Sequence, residues 1–329
     1  MGARARRRRP YIVSAPVGGG GVMTLPTIDP VAESQEIAAL IEALTAAGWP
    51  DGLAAERAAM EAEATPLAAD IAATAMRLGE RPAEALVGPA GGSAGTGLYL
   101  HGGGYVYGSL LSHRGLIGEL ARATNLRMVQ LDYRLAPEHP FPAAIEDAIA
   151  AVGALYDSGV KPQDLVVMGD SAGGGLALAT LIGLRDAQMA LPRAAVVLSP
   201  WTDLSCSGET YRTRAAIDPM IDHALACKLA GLYAGDADRR DPRLSPLFGD
   251  LSGLPPMLIQ VGERETLQSD AANFAARARA AGSPVTFEEW PGMIHVWHQY
   301  YARLSASHRA IGRIAAFLRE VDMQGETPR

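Results

Sequence analysis

The stretch that most restricts how this chain can fold runs from Leu165 to Ile182. Leu165-Val166-Val167-Met168 is a short apolar, partly β-branched run of the kind that forms a buried strand. It ends in Gly169-Asp170-Ser171-Ala172-Gly173-Gly174-Gly175 and passes at once into the apolar helical pattern Leu176-Ala177-Leu178-Ala179-Thr180-Leu181-Ile182. Strand, sharp turn and helix follow one another with a serine at the turn, the pattern G-x-S-x-G. Gly169 and Gly173 flank a residue held in a strained backbone conformation, where side chains would collide with the turn or a neighbouring strand. Ser171 then stands at a helix N-terminus, whose free N–H groups and dipole favour negative charge developing nearby. A glycine- and serine-rich loop would explain the letters, but not the strand before them and the helix after.

A second glycine cluster lies upstream. Gly97-Leu98-Tyr99-Leu100 reads as a short strand running into His101-Gly102-Gly103-Gly104-Tyr105. Consecutive glycines let the backbone approach a bound molecule and turn its N–H groups toward it. A merely flexible loop would use the same residues, but the position, after a strand and ahead of the serine turn, favours a loop that faces an anion.

Apolar strands and helical segments alternate through the rest of the chain. Helices are expected over 113–124, 142–156, 172–187, 269–281 and 297–321, with strands over 126–133, 165–168, 194–198, 257–261 and 285–290. Such alternation predicts an α/β chain, its sheet mostly parallel and covered by helices on both faces. Ahead of it, helices are expected over 31–47, 53–63 and 66–78, either covering a site or padding the sheet. The sheet itself is expected to open near 83–87 with brief antiparallel strands. Between Ser199 and Pro255 the alternation pauses around several prolines and one helix over 220–233. An insertion where strands end is a natural place for substrate-binding elements. Residues 1–22, with the basic run Arg4–Arg9, read as a leader outside the fold; the apolar stretch that follows is too short and too glycine-broken for a signal peptide.

Composition narrows the partners. The chain is 48% hydrophobic over 329 residues, yet no apolar run approaches the roughly 18 residues of a membrane span. The net charge is −7, with no basic stripe beyond the first ten residues, so neither nucleic acid nor a membrane is expected as a partner. A cytoplasmic location follows by default. Cys206 and Cys227 are the only cysteines and form no C-x-x-C, so neither a disulfide framework nor a zinc site is expected.

A seryl nucleophile needs a base, and the base needs an orienting carboxylate. Behind a strand-to-helix elbow the chain order is serine, acid, histidine. Of seven histidines, His101, His113 and His139 precede the serine, His223 lies in the insertion and His308 in the terminal helix. His295 follows the strand over 285–290 and the loop Pro291–Ile294, with His298 a turn further on, so His295 is the candidate base. The loop Gly262–Asp270 offers Glu263, Glu265 and Asp270. Glu263 directly follows the strand-end glycine, where an acidic side chain is simply solvated, and Asp270 has a structural reason to stand in a first helical turn. Spacing leaves Glu265 and Asp270 both open.

With these motifs the sequence resembles the bacterial hormone-sensitive-lipase-like (family IV) esterases of the α/β-hydrolase superfamily, over residues 30–320. Asp132-Tyr133-Arg134-Leu135-Ala136-Pro137-Glu138-His139-Pro140-Phe141-Pro142-Ala143-Ala144 and Ser199-Pro200-Trp201-Thr202-Asp203-Leu204 also match; Asp132, Arg134 and Glu138 read as structural ion pairs. The resemblance implies an α/β-hydrolase fold with a mostly parallel eight-stranded sheet. The core would span 81–200 and 255–322, under a helical cap made by 23–80 and the insertion 201–254. It further implies hydrolysis of a small-molecule carboxylic ester, no cofactor, and a homodimer. Its oxyanion donors map onto the backbone of Gly102, Gly103 and Ala172. Many members carry Asp-Pro-Leu in the acid loop; here Glu265-Thr266-Leu267 stands there, so by position the acid is Glu265. That departure, with Met293-Ile294-His295-Val296-Trp297, resembles a branch that includes monoterpene lactone hydrolases.

The implied triad is therefore Ser171, His295 and Glu265, and small residues without a long apolar groove point to short acyl chains. Lactone or amide hydrolysis would use the same triad. Plant gibberellin receptors resemble the same family but lack the triad histidine, which is present here as His295.

Overall fold

In the computed structural model, which describes residues 30–48 and 50–325, the chain opens with helices α1 (Pro30–Ala47) and α2 (Leu53–Ala62). The leader expected over 1–22 lies outside the described residues. A hairpin follows, β1 (Ala72–Leu78) and β2 (Arg81–Val87), and then β3 (Thr96–Leu100), α3 (Arg114–Thr124), β4 (Arg127–Leu131) and α4 (Ala143–Asp157). The central pair is β5 (Leu165–Asp170) and α5 (Ser171–Asp186), followed by β6 (Ala194–Leu198). The insertion carries the short α6 (Thr210–Thr213) and α7 (His223–Ala234). The chain closes with β7 (Met257–Gly262), α8 (Gln268–Ala280), β8 (Val285–Trp290) and α9 (Ser305–Gly325).

The strands form one eight-stranded sheet in the order β1-β2-β4-β3-β5-β6-β7-β8. The pairs β1–β2 and β2–β4 are antiparallel, and every neighbouring pair from β4–β3 to β7–β8 is parallel. This is the α/β-hydrolase fold expected. Side chains alternate between the faces with the strand period of two. On β5, Val166 and Met168 share a cluster with Leu116, Ile117 and Leu120 of α3 and Ile314 and Phe317 of α9. Leu165 and Val167 face the other way, among Val152 of α4, Leu178 and Leu181 of α5 and Phe274 of α8. Both faces of the central strands are thus dry, which is why they read as continuous apolar runs.

Two local expectations are corrected. The segment 66–78 is not a third helix: Ala72–Leu78 is an edge strand, turned back on β2 through Gly79 and Glu80. Its alanine-rich composition favours helix, but a two-residue turn with Gly79 at φ 58° and the ladder offered by β2 override that weak preference. The sheet therefore opens earlier than residue 81, and its antiparallel strands are seven residues each. The terminal helix is also broken: Trp297–Tyr300 is a short 3₁₀ turn, and α9 starts only at Ser305. Glu36 of α1 accepts both the N–H and the hydroxyl of Ser305, each at 2.8 Å, which anchors that restart.

Candidate active site

Register aligns the carboxyl ends of the central strands. Leu100 lies opposite Gly169, Asp170 opposite Leu198, Leu198 opposite Gln260, and Gly262 opposite Trp290. The turns leaving this edge carry His101–Gly104, Ser171, Ser199, Glu265 and His295. Residues far apart in the sequence are so delivered to one rim, where ligands bind in open α/β sheets.

Ser171 sits at the junction of β5 and α5 with φ 51°, a left-handed conformation costly for a residue with a side chain. It is 7% exposed. The elbow rests on β3 at backbone distance: a Cβ on Gly173 would lie 2.0 Å from the Leu100 carbonyl oxygen and 2.4 Å from that of His101. One on Gly169 would lie 2.3 Å from the Gly173 carbonyl. Glycine at these positions is demanded by contact, as the sequence suggests.

Glu265 is completely buried. Its Oε2 accepts a hydrogen bond from His295 Nδ1 at 2.9 Å, and its Oε1 accepts from the Ser199 hydroxyl at 2.7 Å and from the N–H of Gly262. Burial pushes the Glu265 carboxyl above the usual range, against the pull of these donors. For His295, burial works against the imidazolium, but the hydrogen bond and charge of Glu265 outweigh it and raise the pKa above the ordinary 6.5. Asp218 and Asp170 add to that rise, so the imidazole lies within the field of the residue preceding Ser171. With Nδ1 committed to Glu265, the neutral ring keeps Nε2 as its free lone pair.

The competing groups are otherwise engaged. Asp270 Oδ2 accepts from the N–H groups of Thr202 at 3.1 Å and Asp203 at 2.9 Å, tying α8 to the start of the insertion. Glu263 accepts from Gly292 N. His298 donates from Nε2 to Gln260 Oε1 at 2.9 Å, packs at a tilt against Trp297, and is held neutral by burial, its pKa lowered to about 3. Arg134 pairs with Asp147, and Glu138 with Arg57.

The glycine loop requires a correction. The N–H of Gly102, expected to face an oxyanion, is donated to Asp170 Oδ1 at 3.0 Å. Asp170 also accepts from the Tyr99 hydroxyl at 2.8 Å and lies 3.3 Å from His113 Nε2. Burial opposes its charge, but His113 and Tyr99 keep its pKa below the usual value. One N–H serves one good acceptor, so Gly102 is withdrawn from the candidate donors. The N–H groups of Gly103 and Gly104 donate to no protein acceptor among the described residues. Ala172, in the first turn of α5, has an N–H with no intrahelical partner. Gly104 was in the motif all along; which glycine turns inward depends on Asp170, which the sequence does not show.

Other elements grip these loops. Thr266, next to Glu265, donates from N to Asp218 Oδ2 and from its hydroxyl to the Ile221 carbonyl, each at 2.7 Å, while Thr210 donates to its carbonyl at 2.6 Å. The insertion is thereby fastened to the acid loop. On α2, Arg57 donates to the carbonyls of Val106 at 2.8 Å and Ala136 at 3.0 Å, and buried Glu56 accepts from the Tyr107 hydroxyl. Leu229 of α7 packs over Gly104, and Tyr105 stacks on Tyr233 with centroids 3.8 Å apart.

A family model described as alpha/beta hydrolase fold matches residues 97–299. An acetyl-hydrolase of Streptomyces hygroscopicus is 49% identical over 239 residues, covering 73% of this chain and 80% of that protein. A crystal structure of the esterase EstE5 soaked with p-nitrophenyl butyrate superposes with a TM-score of 0.85 at 43% identity, covering 87% of this chain and 98% of that one. An esterase from the bacterial hormone-sensitive lipase family superposes with a TM-score of 0.84 at 40% identity, covering 89% and 99%.

Proposed function

The chain belongs to the α/β-hydrolase fold family, among its hormone-sensitive-lipase-like esterases, and we propose that it hydrolyses short-chain carboxylic esters through Ser171, His295 and Glu265. The observation that carries this reading is the buried hydrogen bond from His295 Nδ1 to Glu265, on the rim where the strained Ser171 elbow also stands.

Ser171 Oγ attacks the ester carbonyl as its proton passes to His295 Nε2, and Glu265 stabilises the imidazolium that forms. The carbonyl oxygen, now negative, accepts N–H groups from Gly103, Gly104 and Ala172 at the positive end of α5. Collapse of the tetrahedral species expels the alcohol, protonated by His295, and leaves an acyl group on Ser171. Water, deprotonated by His295, then attacks the acyl carbonyl and releases the carboxylic acid, and the proton returns to Ser171.

The N-terminal helices α1 and α2 together with residues 201–254 act as a cap, a role supported by Arg57, Glu56 and Leu229 closing on the glycine loop. Leu229 closes on Gly104 so tightly that a Cβ there would lie 2.5 Å from its Cδ1, and a side chain that near the glycine loop favours a short acyl group. The names of the relatives, an acetyl-hydrolase and an esterase soaked with a butyrate ester, agree with that size.

A fluorophosphonate probe combined with a series of p-nitrophenyl esters tests the proposal. The protein should label stoichiometrically, and kcat/KM should be highest for acetate to butyrate. Absence of labelling overturns the nucleophile; a maximum at long chains overturns the substrate class.

A further inference from the structure

We propose that Ser199 is a positioning residue for the Glu265–His295 pair, its hydroxyl linking the acid's second oxygen to the backbone that carries the base. The inference rests on the triad reading above and extends it to a residue outside the triad.

Ser199 follows β6 directly, where every residue of the strand is apolar and buried, and it is itself completely buried. Its Oγ lies 2.7 Å from Glu265 Oε1 and 3.1 Å from the backbone nitrogen of Val296, the residue after His295. These contacts fix the hydroxyl proton by elimination. The N–H of Val296 can only donate, so Ser199 Oγ accepts there. An ionised carboxylate can only accept, so the single proton of Ser199 points at Glu265. The chain of donation runs from Val296 N–H to Ser199 Oγ–H to Glu265 Oε1, and each bond polarises the next.

This one hydroxyl joins three loops, those after β6, β7 and β8. With Gly262 N it occupies Oε1 and so orients the carboxylate to present Oε2 to His295 Nδ1. The backbone pays for that placement. Ser199 and Val296 both hold left-handed conformations, at φ 49° and 44°, and the Ser199 N–H is drawn onto the Gln260 carbonyl at 2.7 Å. Such outliers persist where surrounding structure over-determines them. Without the hydroxyl, Val296 N–H would be buried without an acceptor, and Glu265 would lose a donor.

A double-mutant cycle on kcat for a p-nitrophenyl ester, using Ser199→Ala and Glu265→Gln, tests this. Ser199→Ala should lower kcat at least tenfold with KM within about twofold, because it disturbs the reacting pair and not the binding surface. In the Glu265→Gln background the same change should cost less than about twofold, since its effect passes through the carboxylate. Ser199→Cys, with a weaker donor in the same place, should recover part of the loss. Ser199→Gly, which relieves the left-handed backbone but has no hydroxyl, should be as slow as Ser199→Ala; it also serves if the alanine variant folds poorly. An equal loss in both backgrounds, or a Ser199→Ala enzyme within twofold of the parent, overturns the proposal. If Glu265→Gln itself keeps the parent kcat, the triad reading fails first, a result separable from the failure of Ser199 alone.

Discussion

Asp170, the residue before the elbow serine, accepts the N–H of Gly102 at 3.0 Å, and this single bond decides which way the glycine loop faces. It spends the first N–H of the loop on a buried carboxylate, while those of Gly103 and Gly104 donate to no protein acceptor among the described residues. Gly103 stands at φ 112°, and a Cβ there would lie 2.4 Å from the Tyr107 carbonyl oxygen.

In a structure of the protein phosphonylated on Ser171, the phosphonyl oxygen should lie within hydrogen-bond distance of the nitrogens of Gly103, Gly104 and Ala172. Gly102 N should remain on Asp170. Contact between that oxygen and Gly102 N would reinstate Gly102 as a donor. Gly103→Ala, which must shift the loop, should lower kcat by about 10²–10³, the usual cost of one lost oxyanion donor.

Replacing Ser171 by alanine should reduce ester hydrolysis by on the order of 10⁶ while melting stays close to the parent. Hydrolysis of p-nitrophenyl acetate at the parent rate by the purified variant would move the nucleophile elsewhere.

Glu265→Gln and Asp270→Asn separate the two carboxylates of one loop. The glutamine cannot offset an imidazolium charge, and kcat should fall by about 10³–10⁴. The asparagine can still accept from Thr202 and Asp203, so its kcat should stay within a few-fold of the parent. The opposite ranking would transfer the role to Asp270.

The acid limb of activity should sit above the ordinary histidine value. His295 works as neutral imidazole, and its pKa is raised above 6.5, so kcat/KM should already be half lost at a pH higher than 6.5. Stability follows a different pair. Burial depresses His101 to about 4 and His298 to about 3, both from 6.5. Between those values the unfolded chain binds protons that the folded one does not, so stability should fall as pH drops from 6.5 toward 4. Melting temperature measured against pH checks this, and His298→Gln should flatten the decline.

Arg57→Ala strips donors from the carbonyls of Val106 and Ala136. A loss of about 1–3 kcal/mol in urea unfolding is expected, the cost of leaving such groups unmade. An unchanged urea midpoint would mean that α2 does not clamp the loop after the glycines.

Much of the site was legible because its signals are local. The β-branched run, the flanking glycines and the helical pattern around Ser171 act within a few residues, as do the strand and glycines at 97–104 and the strand before His295. The helix expected over 66–78 failed for the complementary reason. Alanine-rich composition states only a preference, and the partner that makes Ala72–Leu78 a strand is β2, across a turn.

The sequence by itself determined the alternation of elements, the serine elbow and the histidine beyond the last strand, since each is written in neighbouring residues whose sterics leave little choice. Spacing left Glu265 and Asp270 both open and resemblance pointed to Glu265; only the tertiary structure put Glu265 on His295, spent the Gly102 N–H on Asp170, and brought Ser199 to Glu265, 66 residues away. A buried donor or acceptor must find a partner, and what lies within 3 Å of it is set by the register of adjacent strands, not by position along the chain.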